Sequence, residues 1–364
     1  MVLPMFIFRR RSMEISVPAL FAALLFAVAS FASPVDALSG PSRPVYAVAS
    51  RTEEHALPRQ WSTLLHDHSW SRLDSISERL RSQRLRFQGG GWELHVFYCV
   101  IGTGCLDPAG ARWEWRIATL QDWIRHSPSS PTPRIALADA YEQFAWEARG
   151  NGDADSVTPL GWKLFAERVA KAREVLDESQ AIARNDPGWY DAMLRVAIDQ
   201  GWHAGRAQEF ATQALTRFPG YFYLVRDMAD YFLPKWYGVP GDTALYVKLA
   251  SNRIGGAEGE ATYFFVAEIV LVDAESCYSC TPPVMSWARI KRGFTAVKHL
   301  YGTNNYELNA LAFIAVHTGH PQTARQAFQK IGERWDHDVW ASRSQFDSAH
   351  LFANVKPVPA APSQ

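Results

Sequence analysis

What this 364-residue chain lacks narrows its chemistry first. It has no G-x-S-x-G nucleophile elbow, no H-E-x-x-H helix and no Walker phosphate loop. Gly102-Thr103-Gly104 misses the third glycine of the dinucleotide fingerprint, and Gly89 to Gly91 is followed by no Lys-Ser or Lys-Thr pair. The motif-borne forms of serine hydrolysis, zinc proteolysis and nucleotide chemistry are therefore excluded. The chain also lacks an excess of either charge, with 37 basic against 37 acidic residues, and so offers no electrostatic footprint for nucleic acid or anionic lipid. After the N-terminal segment no apolar run is long enough to span a bilayer: ATYFFVAEIVLVDA contains 11 apolar residues, against the roughly 20 that a crossing needs.

The N-terminal segment itself reads as a targeting signal. Arg9, Arg10 and Arg11 form a positive n-region, Val17 to Ala32 is an apolar run, and small-residue sites follow at Ser30-Phe31-Ala32 and Val35-Asp36-Ala37. Residues 1–37 are thus expected to be a signal peptide, which places the mature chain in the periplasm or outside the cell. The alternative is an uncleaved membrane anchor over residues 15–32. Cleavage would remove Arg9, Arg10, Arg11, Glu14 and Asp36 and leave a formal charge of −1. Residues 38–59, rich in Ser, Pro and charge, read as a flexible lead-in, and the Pro-rich residues 354–364 as a disordered tail.

Between them, residues 60–353 carry helical periodicity throughout, so the expected fold class is all-α. The apolar spacing Trp113, Ile117, Leu120, Ile124 predicts one helix, and Leu137, Tyr141, Phe144, Ala148 before Gly150 predicts the next. Trp162, Phe165, Val169, Ala172 and Leu176 predict the buried side of a long third helix over 160–184. Pro187 and Pro219 stand 32 residues apart, each followed by aromatics, close to the roughly 34-residue tetratricopeptide period. Leu194, Ala197 and Ile198 face Ala207, Phe210, Ala211 and Ala214 across the turn at Gly201. Near the C-terminus Leu311, Ala312 and Ala315 precede Gly319, and Ala324 and Phe328 supply the A-x3-F fragment of the repeat signature. A helix pair of this size cannot bury its apolar face alone, so the pattern predicts a stack of hairpins. The glycine cluster GGAEG is expected to separate the repeats from the next helix.

Two chemistry-bearing runs read as decoys. Alternating His66-Asp67-His68 has metal-ligand residue types, but positions i and i+2 of a helix diverge, and a solvated face is the expectation. Asn151, Asp153 and Asp155 open like a calcium loop, yet Ser156 and Trp162 stand where its glycine and terminal glutamate belong. No cofactor and no metal site is expected.

AYEQFAWEARG, DPGWY, DQGW and LPKWYGVPGD resemble the successive motifs of an uncharacterised bacterial family, catalogued only as a domain of unknown function and similar to tetratricopeptide-like proteins. The resemblance covers Gly90 to Ala250. It implies a helical-repeat fold and brings no catalytic residues. The candidate binding residues are Trp146, Glu147 and Arg149 in the first motif and Trp236, Tyr237 and Asp242 in the last. For each set the alternative is structural: aromatic plugs between helices, Asp242 as a helix N-cap and Arg149 paired to a carboxylate.

The expected function is a protein- or peptide-binding scaffold of the cell envelope, using the concave side of the stack, and more a binder than an enzyme. Two alternatives stay open: a thiol-disulfide redox protein using Cys277 and Cys280, and a glycan-binding or glycan-cleaving protein using some of the 14 tryptophans. The four cysteines of an exported chain favour disulfides. Short spacing pairs Cys99 with Cys105 and Cys277 with Cys280.

Overall fold

The computed structural model describes residues 48–49, 51–105, 110–150, 152, 154–276 and 283–354. The segment expected to be a signal peptide, Cys277, Cys280 and the residues beyond 354 lie outside the described residues. Fifteen α-helices are described: α1 (Arg51–His66), α2 (Trp70–Gln83), α3 (Glu93–Tyr98), α4 (Trp113–His126), α5 (Thr132–Arg149), α6 (Pro159–Ala183), α7 (Pro187–Asp199), α8 (Ala204–Arg217), α9 (Tyr223–Tyr231), α10 (Asp242–Ile254), α11 (Gly256–Ser276), α12 (Trp287–Tyr301), α13 (Asn305–His317), α14 (Pro321–Ile331) and α15 (Arg343–Asn354). The all-α expectation holds, with one small addition: Val48–Ala49 and Arg86–Phe87 form a two-residue parallel pairing. Among the described residues no helix is long and apolar enough to cross a membrane.

Local chemistry sets many of the boundaries. Pro159, Pro187 and Pro321 occupy first-turn positions, where a missing N–H costs nothing. Thr158 caps α6 by accepting from the Gly161 amide at 3.0 Å, and Asp186 caps α7 by accepting from the Gly188 amide at 2.8 Å. Asn304 and Glu307 form a reciprocal capping box on α13. The GGAEG stretch interrupts less than expected. Gly255 ends α10 with positive φ, and Gly256 begins α11 at once. Gly259 lies within α11 and lets it pass close to α10: a Cβ there would meet the Ser251 carbonyl at 2.3 Å. Gly293 on α12 likewise would meet the Glu260 carbonyl at 2.4 Å.

Most helices pack on their successors, the steps from α3 to α4 and from α12 to α13 being the exceptions, and α5, α7, α9, α11 and α13 also touch one another in series. The apolar interior divides in two. One cluster gathers residues of α1 to α7, including Leu73, Leu120, Ile135, Leu176 and Met193; the other runs from α7 to α15 and includes Leu224, Phe264, Phe313, Phe328 and Trp340. Helix α7 serves both, with Trp189, Ala192, Met193 and Val196 in the first and Leu194 and Ile198 in the second. The loop before α3 reaches across: Trp92 Nε1 donates to the Gly220 carbonyl at 2.8 Å, and Asn304 Nδ2 donates to the Gln88 carbonyl at 2.9 Å.

Three burial expectations shift. In α4 the covered face is Trp113, Arg116, Leu120 and Trp123, while Ile117 and Ile124 are half-exposed. Arg116 is fully buried because it donates to the carbonyls of Val100, Ile101 and Ala111, which closes the turn after α3. Trp162 is 37 % exposed rather than buried, lying one turn before Phe165 with the Arg149 guanidinium 5.2 Å from its ring. In α5 the four predicted apolar residues form the shallower face; the deeper one carries Ile135, Ala138, Asp139, Glu142 and Ala145.

Candidate functional site

Four helices bring their charges to one place. His95 comes from α3, Asp139 and Glu142 from α5, Asp191 and Arg195 from α7, Arg226 and Asp227 from α9. Spacing explains two of the pairs: i,i+3 for the two acids of α5 and i,i+4 for Asp191 and Arg195 put both side chains on one face. That face of α7 is the one left over after its two apolar stripes have entered the two cores.

Arg195 is the hub. Its guanidinium donates to Asp191 Oδ2 at 2.6 Å, to Asp139 Oδ1, and lies 3.8 Å from Glu142 Oε2. Arg226 donates to Asp227 Oδ1 at 2.8 Å. The His95 ring stacks on Tyr223 at 3.5 Å, and its Nδ1 sits 3.3 Å from the Tyr221 hydroxyl and 3.5 Å from Asp191 Oδ2. Two carboxylate oxygens, Asp191 Oδ1 and Asp227 Oδ2, are buried with no hydrogen-bond partner. Their side chains are only 4 % and 9 % exposed, whereas Arg195 and His95 keep 23 % and 20 %.

The electrostatics follow from burial and from four acids meeting two guanidiniums. Burial, with Asp191 and Glu142 nearby, lifts the Asp139 carboxyl to about 8 despite Arg195. Burial lifts Asp227 to about 7 against the pull of Arg226. Burial lowers His95 to about 4, although Asp191 favours its charged form. Asp191 itself moves down: burial opposes its ionisation, but Arg195 and the contact with His95 outweigh it.

A second carboxylate nearby shows what a satisfied one looks like. Asp186 accepts from Arg81 Nε at 2.7 Å, from the Tyr98 hydroxyl at 2.5 Å and from the Gly188 amide. Among the described residues only Asp336, His337 and Asp338, in the turn before α15, bring three ligand-type atoms within 4.8 Å of one another. His66, Asp67 and His68, at the end of α1 and in the turn after it, are all exposed.

The sequence-derived candidates sit elsewhere. Trp146 is buried, donates to Asp199 Oδ2 at 3.1 Å and meets Phe165 edge-on. Glu147 is exposed and accepts from Trp113 Nε1. Arg149 is buried, donates to the carbonyls of Gly150 and Gly152 at 3.0 Å, and lies 5.2 Å from the Trp146 ring. In the loop before α10, Trp236 is half-buried against the first apolar cluster, and Tyr237 is exposed but stacked on Tyr231. Asp242 accepts from the Val239 amide at 3.0 Å in the first turn of α10, while Gly241 holds the N-cap position.

Cys99 and Cys105 form a disulfide around a short π-helical turn, Cys99–Thr103, as their spacing predicts. The charged cluster was missed because its members are scattered over 133 residues from His95 to Asp227. The available signal was local: acids at i,i+3 inside the alanine-rich stretch of α5, and Asp191 with Arg195 amid apolar neighbours. No protein-family model matches the chain, and no curated protein matches it either.

Proposed function

We propose that this is an exported, tetratricopeptide-like helical-repeat protein that binds a protein or peptide on the side where α3, α5, α7 and α9 meet. The repeat reading is supported by the odd-numbered helices from α5 to α13 touching in series while each pairs with its successor. Its resemblance to an uncharacterised bacterial family agrees with that reading, and export rests on the Arg-rich start and apolar run of residues 1–37.

The observation that carries the binding role is the pair of unpartnered carboxylate oxygens, Asp191 Oδ1 and Asp227 Oδ2, in a cluster with two partly exposed members. A buried polar group left without a partner costs about 1–3 kcal/mol, and native structures keep few of them. A stack of hairpins has no need of such a cluster for cohesion, because apolar contacts do that work in both cores. The glycan alternative draws less support: Trp162, the most exposed of the tryptophans, keeps only 37 % of its surface.

A photo-crosslinking residue at Gln143, which donates to Glu142 at 2.8 Å, tests the reading against one at Glu209 on the exposed face of α8. One polypeptide captured from envelope extract at Gln143 and not at Glu209 is the expected result. Capture of glycan, or equal capture at both positions, overturns it. Export is tested separately by fusing residues 1–60 to a reporter active only outside the cytoplasm; an inactive fusion sinks it.

A further inference from the structure

We propose that the cluster is a receptor for a basic side chain, a lysine ammonium or arginine guanidinium, presented by the bound polypeptide. The inference rests on the binding-scaffold reading and names the chemistry of its ligand. Four carboxyl groups, Asp139, Glu142, Asp191 and Asp227, converge on two guanidiniums, so the site can ionise fully only if a further cation takes the place of the protons it now binds. The two oxygens without donors belong to side chains at least nine-tenths buried, Asp191 and Asp227, on adjacent helices α7 and α9. Each can accept from an N–H, and an ammonium or guanidinium carries several donors along with the missing charge.

An inorganic cation fits less well. No three acid or histidine ligand atoms of this cluster come within 4.8 Å of one another, as they do at Asp336, His337 and Asp338. Access is marked by Arg195 and His95, which keep about a fifth of their surface while the acids behind them are closed off. Burial raises Asp139 to about 8 and Asp227 to about 7, so near neutrality both still hold protons, Asp139 the more fully. A basic side chain would take the place of those protons and return the acids to their charged forms, so its arrival releases protons.

Isothermal titration of the mature protein with acetyl-Gly-Lys-Gly-amide, acetyl-Gly-Arg-Gly-amide and the neutral acetyl-Gly-Gln-Gly-amide tests this. Both basic peptides should bind at least about tenfold more tightly than the neutral one, the scale on which losing a desolvated charge pair is felt. Asp191→Asn and Asp227→Asn should each abolish that preference; Asp227→Asn, which leaves the Arg195 hub intact, decides the matter if Asp191→Asn does not fold. Equal binding of the three peptides, binding of none, or a basic preference retained in folded Asp227→Asn overturns the assignment. So does 1,4-diaminobutane binding as tightly as the lysine peptide, which would point to a free diamine. Any of these results beside an intact Gln143 cross-link leaves the scaffold reading standing, whereas loss of the cross-link strikes the scaffold reading itself.

Discussion

The α13–α14 hairpin and the α7–α9 pair, whose two helices touch across the intervening α8, are both buried helix contacts, yet they are held by opposite means. In α13 and α14 the contact is apolar and close: Ala312, Ala315 and Ala324 are fully buried and let Phe313 and Phe328 reach Trp340. In α7 and α9 apolar stripes serve the two cores, while the remaining face carries Asp191, Arg195, Arg226 and Asp227 among buried tyrosines. An apolar interface is satisfied by contact alone. A buried charged one is satisfied only when donors match acceptors, and at α7 and α9 they do not. The difference teaches where a ligand would be useful to this molecule.

The comparison can be broken most severely at its hub. Arg195→Met would leave Asp139, Glu142 and Asp191 without their shared guanidinium, and removing one partner of a buried pair costs about 3–5 kcal/mol. Chemical denaturation should show that loss; a change below about 1 kcal/mol would mean that the acids simply protonate and the charge cluster holds nothing. On the apolar side, Ala324→Leu, like Ala207→Leu and Ala211→Leu, forces a larger side chain into a fully buried contact and should cost about 1–3 kcal/mol. Thermal melting decides this, and a variant as stable as the wild type would show that these helices do not approach closely.

A pH series probes the charged segment directly, with buried Glu268 of α11, also raised by burial, as the group outside it to control for. Asp139 and Asp227 have folded values raised above the ordinary 3.8, so their contribution is full below that value and is lost as pH climbs through about 7 and 8. His95 works in the other direction: its folded value is depressed from 6.5 to about 4, so its contribution is full above 6.5 and is lost as pH falls toward 4. Between pH 6.5 and 8 the two aspartates act unopposed by the histidine, and the melting temperature should fall. Asp139→Asn should flatten that slope, and an unchanged slope would assign it to other groups. The smallest effect is expected at Ala154, in a surface turn (Ala154–Ser156), where Ala154→Leu should stay within about 0.5 kcal/mol. If it melts as far below the wild type as Ala324→Leu does, the distinction between packed and unpacked alanines fails.

How much of this was legible beforehand depended on whether the signal was local. Pro187 and Asp186 announce the start of α7, Trp287 and Tyr301 bound α12, and the spacing of Cys99 and Cys105 announces their bond. The two buried faces misread in α4 and α5 show the limit. Arg116 lies off the apolar spacing of α4, and it is buried because the carbonyls of Val100 and Ile101, from the turn after α3, and of Ala111, just before α4, close around its guanidinium. Asp139 and Glu142 likewise lie off the predicted apolar face of α5: a sequence pattern registers polarity, not what stands opposite.

By itself the sequence determined the all-α class, several helix boundaries, the small-residue contacts of α7, α8, α13 and α14, and the near-zero net charge. Those properties are set within a few turns of chain, by caps, prolines, glycines and 3.6-residue periodicity. Only the tertiary structure decided that α7 joins two apolar cores, and that His95, Asp139, Glu142, Asp191, Arg195, Arg226 and Asp227 share one site. The physical reason is that a buried charge is defined by its neighbours. Its solvation, its proton affinity and its unmet hydrogen bonds come from helices distant in sequence, which meet only when the apolar faces on either side have packed.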